Sequence, residues 1–166
     1  MPVLSILTWP DPRLATPCLP VGEEDVTQLA IDMLDTMYAA PGRGLAAPQV
    51  GVLKRLFVMD VTWKEGTPSP RIIINPQILW RSDDIATGSE GCLSIPGVAT
   101  DIPRATQIRM SWTDQHGRAQ DQVLTGFAAI CAQHEYDHLD GIVTFDRLAP
   151  DLRTAVEAAY LDANPT

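Results

Sequence analysis

Apolar side chains recur with two different periods along this chain, and each change of period marks an element. Val26, Leu29, Ala30, Met33, Leu34, Met37 and Tyr38 follow the i, i+3, i+4 spacing of one helical face, and Pro41-Gly42 ends the run. Leu56 to Val61 and Arg71 to Ile74 are short apolar runs that read as strands, joined by a loop holding Gly66, Pro68 and Pro70. Gln77 to Arg81 reads as a further strand. Ile108, Met110 and Trp112 alternate with Arg109 and Ser111, and Asp114 to Gly117 turns the chain into Gln120 to Thr125. That alternation beside a turn predicts a half-buried antiparallel hairpin. From Phe127 the helical period returns, with Phe127, Ile130, Cys131, His134 and His138 sharing a face. A last helix follows Pro150, with Leu152, Ala155, Val156, Ala159 and Tyr160 on one stripe. Pro10, Pro12, Pro17 and Pro20 keep the opening segment extended or turning, an arm that wraps the domain. Strands grouped between helices predict an α+β fold with an antiparallel sheet.

The 166 residues, 45% of them hydrophobic, fit a single domain over 1–166 with a sizeable core. Twelve Lys and Arg against 21 Asp and Glu give a net charge of -9, which argues against a broad nucleic-acid or anionic-membrane surface. No apolar run approaches the roughly 18 residues that span a bilayer. Met1 to Leu7 lacks a basic leader, so the expected compartment is the cytoplasm. Cys18, Cys92 and Cys131 form no Cys-x-x-Cys pair and are odd in number, which points to reduced thiols rather than a disulfide framework.

The strongest chemical signal is His134-Glu135-Tyr136-Asp137-His138. Positions four apart on a helix lie about 40° apart around it and one turn of about 5.4 Å along it. Two imidazoles can therefore converge on one metal, with Glu135 beside them to hold a water. A catalytic site wants a third protein ligand and an open position. Glu157 is one candidate, as in thermolysin-like proteases, but a solvent-facing glutamate on an amphipathic helix explains it as well. Cys131 is one turn too far from a metal between the histidines, about 7 Å along the axis, for a thiolate bond of about 2.3 Å. Packing is the expected role of Cys131 and of Cys18, which stands in the proline-rich arm. Cys92 remains, in Glu90-Gly91-Cys92-Leu93-Ser94, where Gly91 permits close backbone approach.

A third cluster is Gly42-Arg43-Gly44-Leu45-Ala46-Ala47-Pro48-Gln49. It is either a plain loop of small residues or a flat wall along which an extended substrate can lie, with the Gln49 amide as a donor. It lacks the strand-before, helix-after context and the Lys-Ser/Thr of a phosphate loop.

Taken together and in order, these three segments resemble the motifs of the peptide deformylase family: Gly-x-Gly-x-Ala-Ala-x-Gln, Glu-Gly-Cys-Leu-Ser and Gln-His-Glu-x-Asp-His. Here they read Gly42 to Gln49, Glu90 to Ser94 and Gln133 to His138, and the likeness runs from the arm to about Leu148. The resemblance implies antiparallel sheets packed around the central helix that carries the two histidines. It implies Cys92, His134 and His138 as ligands of one divalent ion, ferrous iron first, with zinc, nickel or cobalt able to substitute. Glu135 would be the general base and then acid, and Gln49 and the Leu93 backbone N–H the oxyanion donors. Gly42, Arg43 and Gly44 would border an extended peptide, Glu90 and Gly91 would stand beside it, and Phe127, Ile130 and Cys131 would line the methionine pocket. The implied reaction is removal of the N-formyl group from the N-terminal methionine of nascent chains, with release of formate, by attack of a metal-bound hydroxide.

The partners implied are formyl-methionyl peptides and a weak association with the ribosome, for a monomer without DNA or membrane binding. Two other readings of the chemistry are a paralogue acting on another formyl-amide and a metalloprotease using Glu157. A metal-binding module without catalysis would need neither Glu135 nor Gln49. Three departures from the family pattern stand out. Arg43 replaces a small or branched apolar residue, Ala99 stands where many members carry Arg or Tyr, and the tail after Leu148 holds Arg153 against Asp151, Glu157 and Asp162.

Overall fold

The computed structural model describes residues 3–165. Helix α1 spans Thr27–Ala39, followed by strands β1 Gly44–Ala46, β2 Leu56–Met59, β3 Arg71–Arg81, β4 Ile85–Cys92, β5 Ile95–Ala105, β6 Gln107–Thr113 and β7 Ala119–Thr125. Helices α2, Gly126–Leu139, and α3, Pro150–Ala163, complete the order. Strands β1, β2, β3, β6 and β7 form one antiparallel sheet in that sequence, and β4 pairs with β5 in a second. The architecture is α+β, with α2 touching both sheets.

Burial explains why β2 shows a continuous apolar run rather than an alternation. All four of its residues are buried. Leu56 and Val58 face Ala30, Met33 and Met37 of α1, while Phe57 and Met59 face Ala129 and Ala132 of α2. A strand covered by a helix on each side has no solvent face to mark with polar residues. The small side chains of α2 let it approach the sheet closely. A third cluster, around Leu14, Ile95, Phe145 and Tyr160, seats α3 and the arm against β5. The arm is tied down by backbone bonds from Leu7 N–H to Gln49 C=O, Trp9 N–H to Ser94 C=O and Cys18 N–H to Leu139 C=O.

Two expectations change. Arg71 to Ile74 and Gln77 to Arg81 are one strand, β3, with an irregularity between Ile74 and Gln77. Pro76 lacks a donor there, and Asn75 takes a φ of 50°, a conformation asparagine tolerates. The Asn75 amide braces the kink, accepting from Val21 N–H at 2.8 Å and donating to Val21 C=O at 2.9 Å. The β4–β5 hairpin lies where the sequence pattern predicts nothing. Gly88, Ser89, Gly91, Pro96, Gly97 and Pro103 all disfavour strands, but each strand of a two-stranded sheet has an unpaired edge, where proline is tolerated. Among the described residues no helix is long and apolar enough to cross a membrane.

Candidate metal centre

Helix α2 is buried on most of its circumference, including Gln133, His134, Glu135, Asp137 and His138. Buried polar groups are costly unless partnered, so each demands an account. Gln133 spends its amide on Ala105 C=O at 2.9 Å and Ala129 C=O at 3.0 Å. Asp137 accepts from Arg104 at 2.7 Å and from Arg147 at 2.6 and 3.0 Å. His134 Nδ1 donates to Glu90 Oε1 at 2.9 Å, which turns its Nε2 the other way. Glu135 Oε1 and His138 Nδ1 have no protein partner.

The missing third donor comes from the other sheet. Cys92 closes the tight turn between β4 and β5, where it pairs with Ile95 after an irregularity that follows Glu90. Its Sγ stands 3.4 Å from His138 Nε2, and the donor atoms of Cys92, His134 and His138 all lie within 4.8 Å of one another. Tetrahedral Cys and His ligation at bonds of about 2.0–2.3 Å puts donor atoms about 3.3–3.6 Å apart. The Cys92–His138 separation matches that spacing, and the three donors together are near enough to hold one metal ion. Burial pushes the His138 imidazole down, toward the neutral form that ligates. Glu157 is on α3, bonded to Arg153 at 2.7 Å, and does not belong to this group.

Behind the donors lies a row of alternating charges. Glu90 takes two bonds of 2.9 Å from Arg104, Arg104 reaches Asp137, and Asp137 reaches Arg147 at the surface. Burial alone would push the Glu90 carboxyl up, but the His134 and Arg104 hydrogen bonds hold it below its usual range. An ionised Glu90 fixes the tautomer and orientation of His134. Glu90 lines the pocket, yet both its oxygens are taken, so it supports His134 rather than offering a free contact to a substrate. Burial likewise pushes the Glu135 carboxyl up, to about 7.

A pocket of about 430 Å³ opens beside these groups. Of the site residues that the family resemblance implies, all but His138 line it, and His138 reaches the site through Cys92 Sγ. The Gln49 side chain is held at both ends: Oε1 accepts from Ala46 N–H at 2.9 Å, and Nε2 donates to Ser94 Oγ at 3.0 Å and points at Cys92 Sγ at 3.7 Å. A Cβ on Gly44 would meet Glu135 Oε2 at 2.6 Å and Cys131 Sγ at 2.8 Å, and one on Gly42 would meet Leu93 Cδ1 at 2.8 Å. Here the glycines are required by close approach. A Cβ on Gly91 meets nothing within 4 Å, so that glycine makes no close approach to the protein itself.

A model of the polypeptide deformylase family matches residues 3–154. The chain belongs to this family. A peptide deformylase from Alkalilimnicola ehrlichii is 50% identical over 151 residues, covering 90% of this chain and 84% of that one. A peptide deformylase from Xylella fastidiosa strain M12 is 45% identical over 161 residues, covering 94% and 93%. The crystal structure of the Ehrlichia chaffeensis peptide deformylase in complex with actinonin superposes with a TM-score of 0.92 at 38% identity, over all of both chains.

The structure gives supporting roles to residues for which the sequence pattern, inside or outside the deformylase motifs, offers none. Ser94 holds the Gln49 amide, Arg104 and Asp137 brace Glu90 and hence His134, and Lys64 joins the pocket wall. Arg104 left one trace: in β5 the inward positions run Thr100, Ile102, Arg104, and a charge at an inward strand position implies a buried partner.

Proposed function

We propose that this deformylase removes the formyl group from the N-terminal methionine of nascent peptides at the Cys92, His134 and His138 centre. The observation that carries this reading is Glu135, a buried carboxylate with an unpartnered oxygen one residue from a ligating histidine and packed against Gly44. A divalent ion on the three donors would acidify a water and draw electron density from the formyl oxygen. Glu135, pushed by burial to about 7, takes a proton from the attacking water and delivers it to the departing amine near neutral pH. The C–N bond of the formamide breaks, giving formate and a free α-amine. Gln49 Nε2, already oriented by Ser94, and the Leu93 N–H donate to the formyl oxygen as charge develops on it. Phe127, Ile130 and Cys131 receive the methionine side chain, and Gly42 to Gly44 border the extended backbone on the free edge of β1.

Ferrous iron is the ion we assign first, with zinc, nickel or cobalt as substitutes, since one thiolate and two imidazoles suit all four. We read residues 1–166 as a single domain, monomeric and cytoplasmic, with weak ribosome affinity because α3 carries no basic face. The decisive experiment loads the protein anaerobically with iron and measures formate release from formyl-Met-Ala-Ser. Stoichiometric formate that disappears on chelation and returns with metal supports the reading; hydrolysis of an internal peptide bond with no formate would replace it with a protease.

A further inference from the structure

Two cations stand at the mouth of the pocket in a chain whose net charge is -9. Both are held in place. The Arg43 guanidinium lies over the Phe127 ring, 5.2 Å from its centroid, and its Nη2 donates to Glu65 Oε1 at 2.9 Å. Glu65 engages Nη2 alone, and Arg43 Nε has no partner at all. Lys64 sits in a short 3₁₀ turn, Trp63–Glu65, which is pinned to the pocket wall. Trp63 Nε1 donates to Gly42 C=O at 2.9 Å, its ring meets Tyr38 edge-on at 5.1 Å, and Lys64 Nζ lies 5.7 Å from its centroid.

The acids nearby do not cancel this charge. Glu65 is 61% exposed, so its pairing with Arg43 is well screened. Glu90 is committed to Arg104 and His134, and Glu135 faces Gly44 deeper in the site. The rim therefore carries Arg43 and Lys64 against Glu65.

We propose that Arg43 and Lys64 are specificity-determining residues that favour substrates with an acidic side chain just after the formyl-methionine. The inference rests on the deformylase reading above. β1 is the end strand of its sheet, so a peptide paired along its free edge leaves the pocket past Arg43, Phe127 and Lys64. An aspartate or glutamate there meets cations already immobilised by stacking and by Trp63. A lysine meets like charge.

The test compares kcat/KM for formyl-Met-Asp-Ala, formyl-Met-Lys-Ala and neutral formyl-Met-Ala-Ala at low and high salt. The enzymes are wild type, Lys64→Gln, Arg43→Met and Glu65→Gln. Each exposed charge contact is worth a factor of about two to five. Wild type is expected to prefer aspartate over lysine, mainly through KM. Lys64→Gln and Arg43→Met shrink that preference by about two- to fivefold, Glu65→Gln enlarges it by freeing Arg43, and high salt compresses every ratio. An aspartate-to-lysine ratio near one in wild type, or one that ignores all three substitutions, overturns the proposal while leaving the deformylase reading intact. If wild type fails to release formate from the neutral peptide, the deformylase reading falls and takes this one with it.

Discussion

Replacing Gly44 with alanine adds one methyl group and puts it where Glu135 works. The new Cβ would lie 2.6 Å from Glu135 Oε2 and 2.8 Å from Cys131 Sγ, whereas ordinary contact begins near 3.4 Å. Restoring that contact moves the carboxylate by about 0.8 Å, and a misplacement of about 1 Å in a reacting group costs on the order of 10²-fold in rate. Overpacking of this kind costs about 1–3 kcal/mol of stability, partly offset by the about 0.4–1 kcal/mol gained when alanine replaces a glycine at negative φ. The variant should therefore fold, bind its metal and turn over formyl-Met-Ala-Ser about a hundredfold more slowly. Thermal unfolding, metal analysis and formate release measure the three quantities separately. The double variant Gly44→Ala/Cys131→Ala relieves the sulfur contact but not the carboxylate contact, so it should recover stability and not rate. A Gly44→Ala enzyme within about threefold of wild type would refute the placement of Glu135 in the reaction.

Cys92→Ala should lose tight metal binding while Glu157→Gln keeps it, measured as bound metal per chain after desalting; the opposite pattern would move the third ligand to α3. Gln49→Leu should retain the metal and lose about 10²–10³ in kcat, the usual cost of one oxyanion donor, with near-normal kcat excluding that role. Arg104→Met leaves Glu90 and Asp137 buried without their shared cation, at a cost of about 3–5 kcal/mol in urea unfolding, and should weaken metal affinity because His134 loses its brace. An unchanged midpoint with unchanged affinity would show that the charge row does not support the centre.

Helices α1 and α3 are legible in the sequence because each sets an apolar stripe against a polar remainder, and α3 also begins at a proline; α2, buried on most of its circumference, is legible through the helical spacing of Phe127, Ile130, Cys131, His134 and His138. The β6–β7 hairpin is legible because one of its faces meets water, which writes the alternation into the sequence. The β4–β5 hairpin is not, because its glycines and prolines obey the needs of a tight turn at Cys92 and of exposed edges rather than strand propensity. The histidine pair is visible through helical spacing alone. Cys92 lies 46 positions from His138, so no local pattern ties the two together; setting aside Cys18 and Cys131 leaves it as a candidate, and the resemblance of three motifs assigns it the role. The support behind the donors is less visible still. Arg104, Asp137 and Ser94 act through tertiary contacts, and a glutamate such as Glu90 looks the same in sequence whether it meets a substrate or holds a histidine. Arg43 shows the same limit: its position beside Phe127 and Glu65 follows from how β1, α2 and the Trp63 turn meet.

In the proposed mechanism Glu135 does chemistry at a metal it does not bind. Glu135→Gln keeps the shape of the side chain and removes its ability to take a proton, so metal content and formate release from formyl-Met-Ala-Ser separate the two roles. Both proteins should hold one metal per chain, with turnover in the variant reduced by about 10²–10⁴-fold, the range for loss of a general base. Loss of the metal, or turnover close to wild type with the metal in place, would contradict it.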